Sequence, residues 1–254
     1  GIYTQHNDFG GRAVWGTSFV SGEENTDLNG HGTHVAGTVG SNTYGVAKRC
    51  KLIAVKVFDS TGSGAVSNVI AGIGYVVSDY KSKTNEAIIN GLNPPKSVAN
   101  LSLGASFSQA LNSAVASSVS AGITFVTAAG NSNVDACTTS PSSERTAITV
   151  GSIDITDVQS YFSNYGKCVT LFGPGRSITS TWIGSPSATN TISGTSMASP
   201  HVAGVVATLY SMYSNNFTPD QIKQLLLGIA TTNKISKLSP MTPNILVYNS
   251  PPAN

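Results

Sequence analysis

The chain contains 254 residues, enough for a sizeable core, and we expect a single domain over residues 1–254. Charged residues make up only 10% of it, the formal net charge is +2, and lysine and arginine form no cluster, which argues against a nucleic-acid partner. No apolar run approaches the roughly 20 residues of a membrane span, so the composition also argues against a membrane protein.

The cysteine content and the first residue bear on where the chain acts. Its three cysteines are an odd number, and together with few charges and many small polar residues they favour a secreted, extracellular protein. Gly1 does not begin a signal peptide, so we expect a mature, processed or partial chain. We also expect it to be a monomer.

Apolar runs that fit strands alternate along the chain with runs that fit helices. A turn is predicted at residues 10–12, and polar surface loops are predicted at residues 21–29 and 82–96. The predicted strands are 51–58, 97–103, 122–128 and 147–153, with short strands from 169 to 196, and the predicted helices are 33–39, 68–80, 110–120, a long one that starts near Ser196 and one that follows Thr218.

The alternation of strands and helices predicts an α/β fold with a mostly parallel central sheet. Residues 51–58 are almost continuously apolar, which is typical of a parallel strand buried on both faces. Thr218 as N-cap and Pro219 at the first helical position predict the start of the last helix.

The stretch 194–200, GTSMASP, stands between a polar extended run and a long apolar helical pattern. A serine at this turn would present its hydroxyl at a helix N-terminus, where developing negative charge is favoured. Ser196 is therefore a candidate nucleophile, and the alternative is that it only caps the helix.

A hydroxyl nucleophile needs a base, and the chain has four histidines. His31 and His34 lie in the glycine-rich stretch 29–37, NGHGTHVAG, where a backbone can approach closely. Two histidines at this spacing raise the alternative of a zinc site, but the zinc-protease pattern His-Glu-x-x-His is absent. We expect His34 to be a hydrogen-bonded core residue, His201 to pack in its helix and His6 to lie on a loop surface.

Three motifs in order, HGTHVAG at 31–37, AAGN at 128–131 and GTSMASPH at 194–201, resemble those of the subtilisin-like serine proteases, or subtilases. The ending TPNIL at 242–246 is similar to the proteinase K branch of that family. The resemblance spans essentially the whole chain. It implies a three-layer fold in which helices flank the sheet.

The resemblance implies a secreted endopeptidase, made as a zymogen, that works by acyl transfer on protein or peptide substrates. Ser196 would be the nucleophile, His31 the general base and Asn131 the oxyanion donor, although Asn131 could also be a simple turn residue. A pro-segment or protein inhibitors would be further partners. The alternative is a catalytically inactive fragment or a binding protein on the same fold.

In this family a catalytic aspartate stands two residues before the glycine that closes the first core strand, and Gly1-Ile2 resembles the residues just after that aspartate. The resemblance therefore implies that the strand and its aspartate lie upstream of Gly1, and that the chain as written is nearly inactive. Asp8 and Asp27 are the nearest acids, and because both lie in polar loop sequence we expect them to be solvated surface residues. The alternative is that one of them orients His31.

The substrate is expected to bind as an extended strand between two segments whose glycines let a peptide backbone lie close. A third segment would form the pocket for the residue before the scissile bond. Its small, neutral walls predict a preference for large apolar or aromatic residues. The flanking segments are Gly62, Ser63, Gly64 and Ser102, Leu103, Gly104, and the pocket segment is Ala128, Ala129, Gly130.

Two further expectations come from the resemblance. Cys137 and Cys168 match a disulfide of aqualysin-like relatives, which leaves Cys50 unassigned. Proteinase K-like enzymes hold calcium with an aspartate where this chain has Thr170, and a second calcium position corresponds to Ser236. Because Ca²⁺ prefers carboxylate oxygens, the usual ligand positions are not matched, and a structural calcium would need other ligands. The resemblance implies no cofactor for the chemistry.

Overall fold

The computed structural model describes residues 1–213 and 217–249. The helices are α1 (His31–Gly40), α2 (Val66–Ile89), α3 (Gln109–Ser120), α4 (Thr195–Met212) and α5 (Pro219–Ile229). The strands are β1 (Ala13–Ser18), β2 (Leu52–Lys56), β3 (Val98–Leu101), β4 (Ala105–Ser106), β5 (Thr124–Ala128), β6 (Thr139–Ser140), β7 (Ile148–Ile153), β8 (Leu171–Pro174), β9 (Ile178–Thr181), β10 (Thr189–Ile192), β11 (Thr231–Thr232) and β12 (Ile245–Leu246).

A six-stranded sheet with the order β11-β12-β8-β7-β5-β3 forms the centre of the molecule. The pairs β3–β5, β5–β7, β7–β8 and β8–β12 are parallel, and only β11 runs antiparallel to its neighbour. All residues of β5 and β7 are buried, as expected for central parallel strands covered on both faces. The predicted α/β class with a mostly parallel sheet is confirmed.

Helices cover both faces of this sheet. Neighbouring residues of a strand point to opposite faces, and Val126 of β5 packs in one apolar cluster while Phe125 packs in another. The first cluster contains residues of α1, α4 and α5, and the second contains residues of α2 and α3. The arrangement is therefore three layers, with the functional motifs of α1 and α4 on the same face.

The strand predicted at 51–58 exists as β2, but the prediction that it is buried on both faces is wrong. Its side chains alternate, with Ile53 38% exposed while Leu52 and Ala54 are buried. β2 pairs in parallel with β1, a strand that was not predicted from the sequence. Within the described residues, β2 and β3 each form a ladder along one edge only, so the parallel strands fall into two separate sheets.

Helix α2 continues through the first part of the loop predicted at 82–96. An ion pair between Lys83 and Asp79, one turn apart, stabilises this polar extension. The helix ends where Asn90 donates its side-chain amide to the Glu86 carbonyl at 2.8 Å and Gly91 takes a positive φ of 67°. The polar sequence reflects an exposed helix here, not a loop.

The starts of the last two long helices agree with their sequence signals. α4 begins at Thr195, directly before Ser196, and α5 begins at Pro219 with a capping box between Thr218 and Gln221. None of the helices in residues 1–213 and 217–249 combines the length and the apolar character that crossing a bilayer requires.

Candidate active site

Ser196 lies in the first turn of α4, immediately after Thr195. Pro200 stands four residues later and has no N–H to give to the Ser196 carbonyl, so this acceptor is free for another donor. The Ser102 hydroxyl fills the place and donates to the Ser196 carbonyl at 2.7 Å. The Ser196 hydroxyl in turn donates to the Ser102 carbonyl at 3.4 Å. The helix start is thereby joined to the segment that follows β3.

The side chain of Asn131 is held with its amide nitrogen turned outward. Its Oδ1 accepts from the backbone N–H and from the hydroxyl of Thr195, both at 2.8 Å. The Thr195 hydroxyl also accepts from the Gly130 N–H at 3.1 Å, which ties the end of β5 to the start of α4. Since Oδ1 has two donors, Nδ2 is the atom of Asn131 left to donate to a ligand.

Two N–H donors border the same space beside Gly194. A Cβ built on Gly194 would lie 3.5 Å from Asn131 Nδ2 and 3.6 Å from the backbone nitrogen of Ser196. Both nitrogens carry hydrogens, and the second belongs to a helix N-terminus, where anionic oxygens are stabilised. A developing oxyanion could therefore take two hydrogen bonds at this position.

Asp27 holds the start of α1, and the prediction that it is a solvated surface residue is wrong. It is 7% exposed. Oδ1 accepts from the N–H groups of Asn29 and Gly30, and Oδ2 accepts from the N–H and hydroxyl of Thr33, at 2.7 to 3.0 Å. Burial would raise the pKa of Asp27, but these hydrogen bonds outweigh it and hold the pKa below its usual value. The signal was an acidic residue just before a helix start.

His31 is the first residue of α1 and its ring titrates below the ordinary range. Burial lowers its pKa, and the Asp27 carboxylate acts in the opposite direction. The imidazole is therefore neutral near pH 7 and able to accept a proton. In the part of the chain that the structure describes, no carboxylate accepts a hydrogen bond from the His31 ring.

Helices α1 and α4 pack against each other. His34 is within electrostatic range of His201, and further along both helices Gly204 lies against the Val39 carbonyl and Val46. The contacts occur in the same order on both helices, so their N-termini, which carry His31 and Ser196, lie towards the same end. This end of α4 also meets the carboxyl ends of β3 and β5, where ligands bind in open α/β sheets.

The other histidines take structural positions. His34 is fully buried and its Nε2 meets the Ile178 carbonyl at 2.9 Å, so that nitrogen is engaged by the backbone and not by a metal. His201 bonds through Nδ1 to the Met197 carbonyl of its own helix at 2.8 Å. His6 corrects the prediction of a loop-surface residue, because it is 4% exposed and its Nε2 meets the Ala188 carbonyl at 2.8 Å.

Asp8 lies away from His31 and stays on the surface side of its loop. Its carboxylate accepts from the backbone N–H of Thr43 at 3.1 Å and from the Thr43 hydroxyl at 2.7 Å. Burial acts to raise the pKa of Asp8, but the bonds to Thr43 outweigh it, so that the pKa is lowered. Asp8 therefore contributes to a loop contact and has no contact with the candidate site.

The three predicted substrate segments differ in exposure. Residues 62–64 and Gly104 are exposed, and Ser102 and Leu103 are half-buried. Ala128 and Ala129 are buried, so of the third segment only Gly130 offers surface, and its backbone is what a substrate side chain would meet. The Asn164 side chain donates to the Ala129 carbonyl at 2.9 Å and so stabilises this segment. Asn164 was not identified from the sequence.

A disulfide joins Cys137 to Cys168, with 5.3 Å between their Cα atoms, the pairing that the family resemblance implies. It ties the loop after Asn131 to the segment before β8. Cys50 is a free thiol, and burial raises its pKa. It is consequently a poor nucleophile, and it lies outside the cluster around Ser196.

The two positions that correspond to calcium ligands do not fit the ion. The Thr170 hydroxyl accepts from the Thr149 N–H at 3.1 Å and is committed to the sheet. The Ser236 backbone pairs with Asp157 and Gln159. Neither residue offers a carboxylate, and residues 1–213 and 217–249 contain no group of three or more His, Cys, Asp or Glu arranged to hold a metal.

Comparison with known proteins identifies the family of this chain. The model of the Subtilase family, Peptidase_S8, matches residues 9–242. A subtilisin-like serine protease of Rhodotorula mucilaginosa, Rho m 2.0101, is 47% identical over 98% of this chain and 74% of its own length. Alkaline protease 2 of Aspergillus fumigatus is 46% identical over 98% of this chain, which spans only 52% of that relative.

A solved structure, the crystal structure of a cold adapted subtilisin-like serine proteinase, superposes with a TM-score of 0.88 at 45% identity. The match covers 99% of this chain and 86% of the other. The family match, the high identity of the relatives and the shared fold lead to one conclusion: the chain belongs to the subtilase family of serine proteases.

Proposed function

We propose that this chain is the catalytic domain of a secreted serine endopeptidase that cleaves protein and peptide substrates by acyl transfer. The observation that carries the proposal is that Asn131 Nδ2 and the Ser196 backbone nitrogen border one space beside Gly194, at the start of the helix that carries the Ser196 hydroxyl. A serine hydroxyl beside two N–H donors is what an acyl-transfer site needs.

In the proposed reaction the Ser196 hydroxyl attacks the carbonyl carbon of the scissile peptide bond and gives its proton to neutral His31. The carbonyl oxygen becomes an oxyanion and accepts from Asn131 Nδ2 and the Ser196 N–H. His31 then returns the proton to the leaving amine, and an acyl-enzyme remains on Ser196. Water, deprotonated by His31, releases the acid product by the same route.

The substrate would lie as an extended strand between the exposed residues 62–64 and the partly exposed residues 102–104, where main-chain hydrogen bonds would hold it. We expect large apolar or aromatic residues before the scissile bond, because neither these segments nor 128–130 contain a charge that would select lysine or arginine. We expect no cofactor in the chemistry and no calcium at Thr170 or Ser236. A pro-segment or protein inhibitors would compete for the same groove.

The second candidate is a non-catalytic protein on the same fold, and the His31 ring supports it, since no described carboxylate bonds to that ring. A base of this kind is oriented by a carboxylate, and losing it costs about 10⁴-fold in rate. Two sources remain: Asp27, which is near but committed to backbone groups, and the aspartate that the resemblance puts two residues before Gly1. We expect that upstream aspartate to be required, so that residues 1–254 alone hydrolyse peptides only slowly.

Kinetics with matched variants test the function. Residues 1–254, and the same chain preceded by its natural upstream segment, are assayed with a peptide that has phenylalanine before the cut. Ser196→Ala should lower kcat by about 10⁶-fold, the size established for the nucleophile of subtilisin, in whichever form is active. Ser211→Ala, an exposed serine at the other end of α4, should leave the rate unchanged. Equal rates in both serine variants, or no hydrolysis by either form, would support the non-catalytic alternative.

A further inference from the structure

Glu23 lies in the loop between β1 and α1 and pairs with a buried lysine. Lys56 is the last residue of β2 and is 1% exposed, and its Nζ lies 2.7 Å from Glu23 Oε2. The same ammonium donates to the Thr26 carbonyl at 3.0 Å. Thr26 directly precedes Asp27, the residue that holds the start of α1. The loop that carries Asp27 and His31 is thus attached to β2 through one ammonium group.

The second oxygen of Glu23 reaches a different loop. Oε1 accepts from the backbone N–H of Ser60 at 2.9 Å. The Asn29 side chain donates to the carbonyl of the same Ser60 at 3.3 Å, and Gly62 approaches Asn29 so closely that a Cβ on it would lie 3.1 Å from Asn29 Nδ2. The loop at 59–64 is therefore bonded to both ends of the loop that leads to His31.

The loop at 59–64 behaves as one unit in these contacts. Asp59 accepts from the N–H and hydroxyl of Thr61 and from the Ser63 N–H, at 2.6 to 3.1 Å. The Asp59 N–H donates to the Ser63 carbonyl, and the Gly62 N–H donates to the Asp59 carbonyl. Because the turn is closed within itself, the two bonds at Ser60 set its position relative to the rest of the molecule.

We infer that Glu23 is a positioning residue for substrate recognition, which fixes the distance between the His31 loop and the substrate segment at 62–64. One carboxylate contacts the buried Lys56 with one oxygen and, with the other, Ser60, which lies two residues before the substrate segment. This inference rests on the proposed function of residues 62–64, and it adds a residue outside the catalytic motifs. Its consequence is selective: extended peptides that lie along 62–64 depend on Glu23, and substrates too short to reach that segment do not.

The charge distribution supports a specific role for this position. Lys56 is buried, so its ammonium needs an anionic partner, and Glu23 is the carboxylate that contacts it. The next residue, Glu24, is exposed and its side chain makes no hydrogen bond within the described residues. Glu23 and Glu24 therefore form a matched pair for mutation. They are the same residue type in the same loop, but only Glu23 is half-buried and bonded to Lys56 and Ser60.

The test compares two substrates in the active full chain. One is an N-acetylated tetrapeptide p-nitroanilide that ends in phenylalanine, and the other is an N-acetyl-phenylalanine ester. In Glu23→Ala, kcat/KM for the tetrapeptide should fall about tenfold, the loss of roughly one hydrogen bond to a charged group, while the ester changes less than about twofold. Glu24→Ala should change neither. Glu23→Gln keeps an acceptor for Ser60 and should lose less than Glu23→Ala.

An equal loss on both substrates in a folded Glu23→Ala protein, or a tetrapeptide rate within about twofold of the wild type, would overturn the inference. If the wild type cleaves neither substrate, the proposed function has failed on its own account. Calorimetric binding of the uncleaved tetrapeptide then tests Glu23 separately. Affinity weakened about tenfold in Glu23→Ala but not in Glu24→Ala supports the inference, and equal affinities contradict it.

Discussion

Asn131 and His31 are held by different kinds of contact. The carbonyl oxygen of the Asn131 side chain has two donors from Thr195, and its loop is further tied by Asn164 and by a disulfide. The His31 ring has no described hydrogen bond to a carboxylate. Its backbone N–H donates to Asn29 Oδ1 at 3.3 Å, and the N–H of the preceding Gly30 donates to Asp27. Hydrogen bonds thus fix the side chain of the proposed oxyanion donor, Asn131. On the side of the proposed base, they fix only the backbone at the start of α1.

Because Asn131 and His31 are held differently, we expect mutations around them to have different effects. A side chain fixed by several bonds is ready for the transition state without reorganisation, which is where electrostatic catalysis obtains its strength. A ring on a fixed helix start still needs a partner to set its tautomer. We therefore expect variants on the oxyanion side to affect the rate directly, and variants around Asp27 to act through stability and through the pKa of His31.

Among variants that compare the surroundings of Asn131 and His31, the largest effect is expected from Asn131→Ala. It removes the donor Nδ2 and should lower kcat by about 10²–10³-fold, the range established for the corresponding donor in subtilisin, with little change in KM. Steady-state kinetics measure this, with Ser132→Ala, an exposed neighbour, as the control. A loss that appears mainly in KM would show that Asn131 binds the ground state and would remove the contrast with His31.

Asp27→Ala tests the base side. It leaves the buried N–H groups of Gly30 and Thr33, the Thr33 hydroxyl and the half-buried Asn29 N–H without their acceptor. Unsatisfied buried groups cost roughly 1–3 kcal/mol each, so the free energy of unfolding should fall by at least about 3 kcal/mol. Asp59→Ala removes a carboxylate with three similar bonds on a surface loop, where water replaces it, and should cost less than about 1 kcal/mol.

Denaturant unfolding separates these two aspartate variants, and equal losses of unfolding free energy would contradict the buried role of Asp27.

The stabilisation that Asp27 provides depends on pH. Because the folded pKa of Asp27 lies below its unfolded value of about 3.9, the contribution is complete above that value and is lost as the pH falls through the folded pKa.

Removing the disulfide should weaken the oxyanion side without abolishing it. Cys137 and Cys168 are 31 residues apart, and replacing both by serine should lower the free energy of unfolding by about 2–4 kcal/mol. Asn131 keeps its bonds to Thr195, so kcat of the folded variant should stay within about twofold of the wild type. Thermal unfolding and kinetics on the same sample measure both quantities. A large fall in kcat with unchanged stability would mean that the bridge, and not Thr195, positions Asn131.

The smallest effect is a shift of the pH profile. In the proposed mechanism neutral His31 is the active form, so kcat/KM of residues 1–254 should fall as the pH drops through a pKa below the ordinary value of about 6.5. The Asp27 charge raises that pKa, so Asp27→Asn should move the acid limb to still lower pH. A limb that moves to higher pH would show that another group controls the titration.

Some features of the fold were predictable from the sequence because local rules decide them. The starts of α4 and α5 follow from a glycine turn and from the capping box at Thr218, and the parallel sheet follows from the alternation of strands and helices. The motifs identified the residues around Ser196 by resemblance. These signals lie within a few residues of the features they predict.

Other features depend on contacts between distant residues and could not be predicted. Asp27 looks solvated in its polar stretch, and only the folded loop buries it against α1. His6 is buried, and its ring bonds to the carbonyl of Ala188, which lies 182 residues further along the chain. The link from Glu23 through Lys56 to Thr26, and from Glu23 to Ser60, joins three segments that no local pattern connects.

Covalent labelling tests whether Ser196 is a nucleophile that His31 and Asn131 activate. An active form of the chain is treated with a fluorophosphonate and mapped by peptide mass spectrometry, beside the variants His31→Ala and Asn131→Ala. We predict one label, on Ser196, that forms much more slowly in both variants and is absent after unfolding. Labelling of a different serine, or labelling of Ser196 at the same rate in all three proteins, would contradict it.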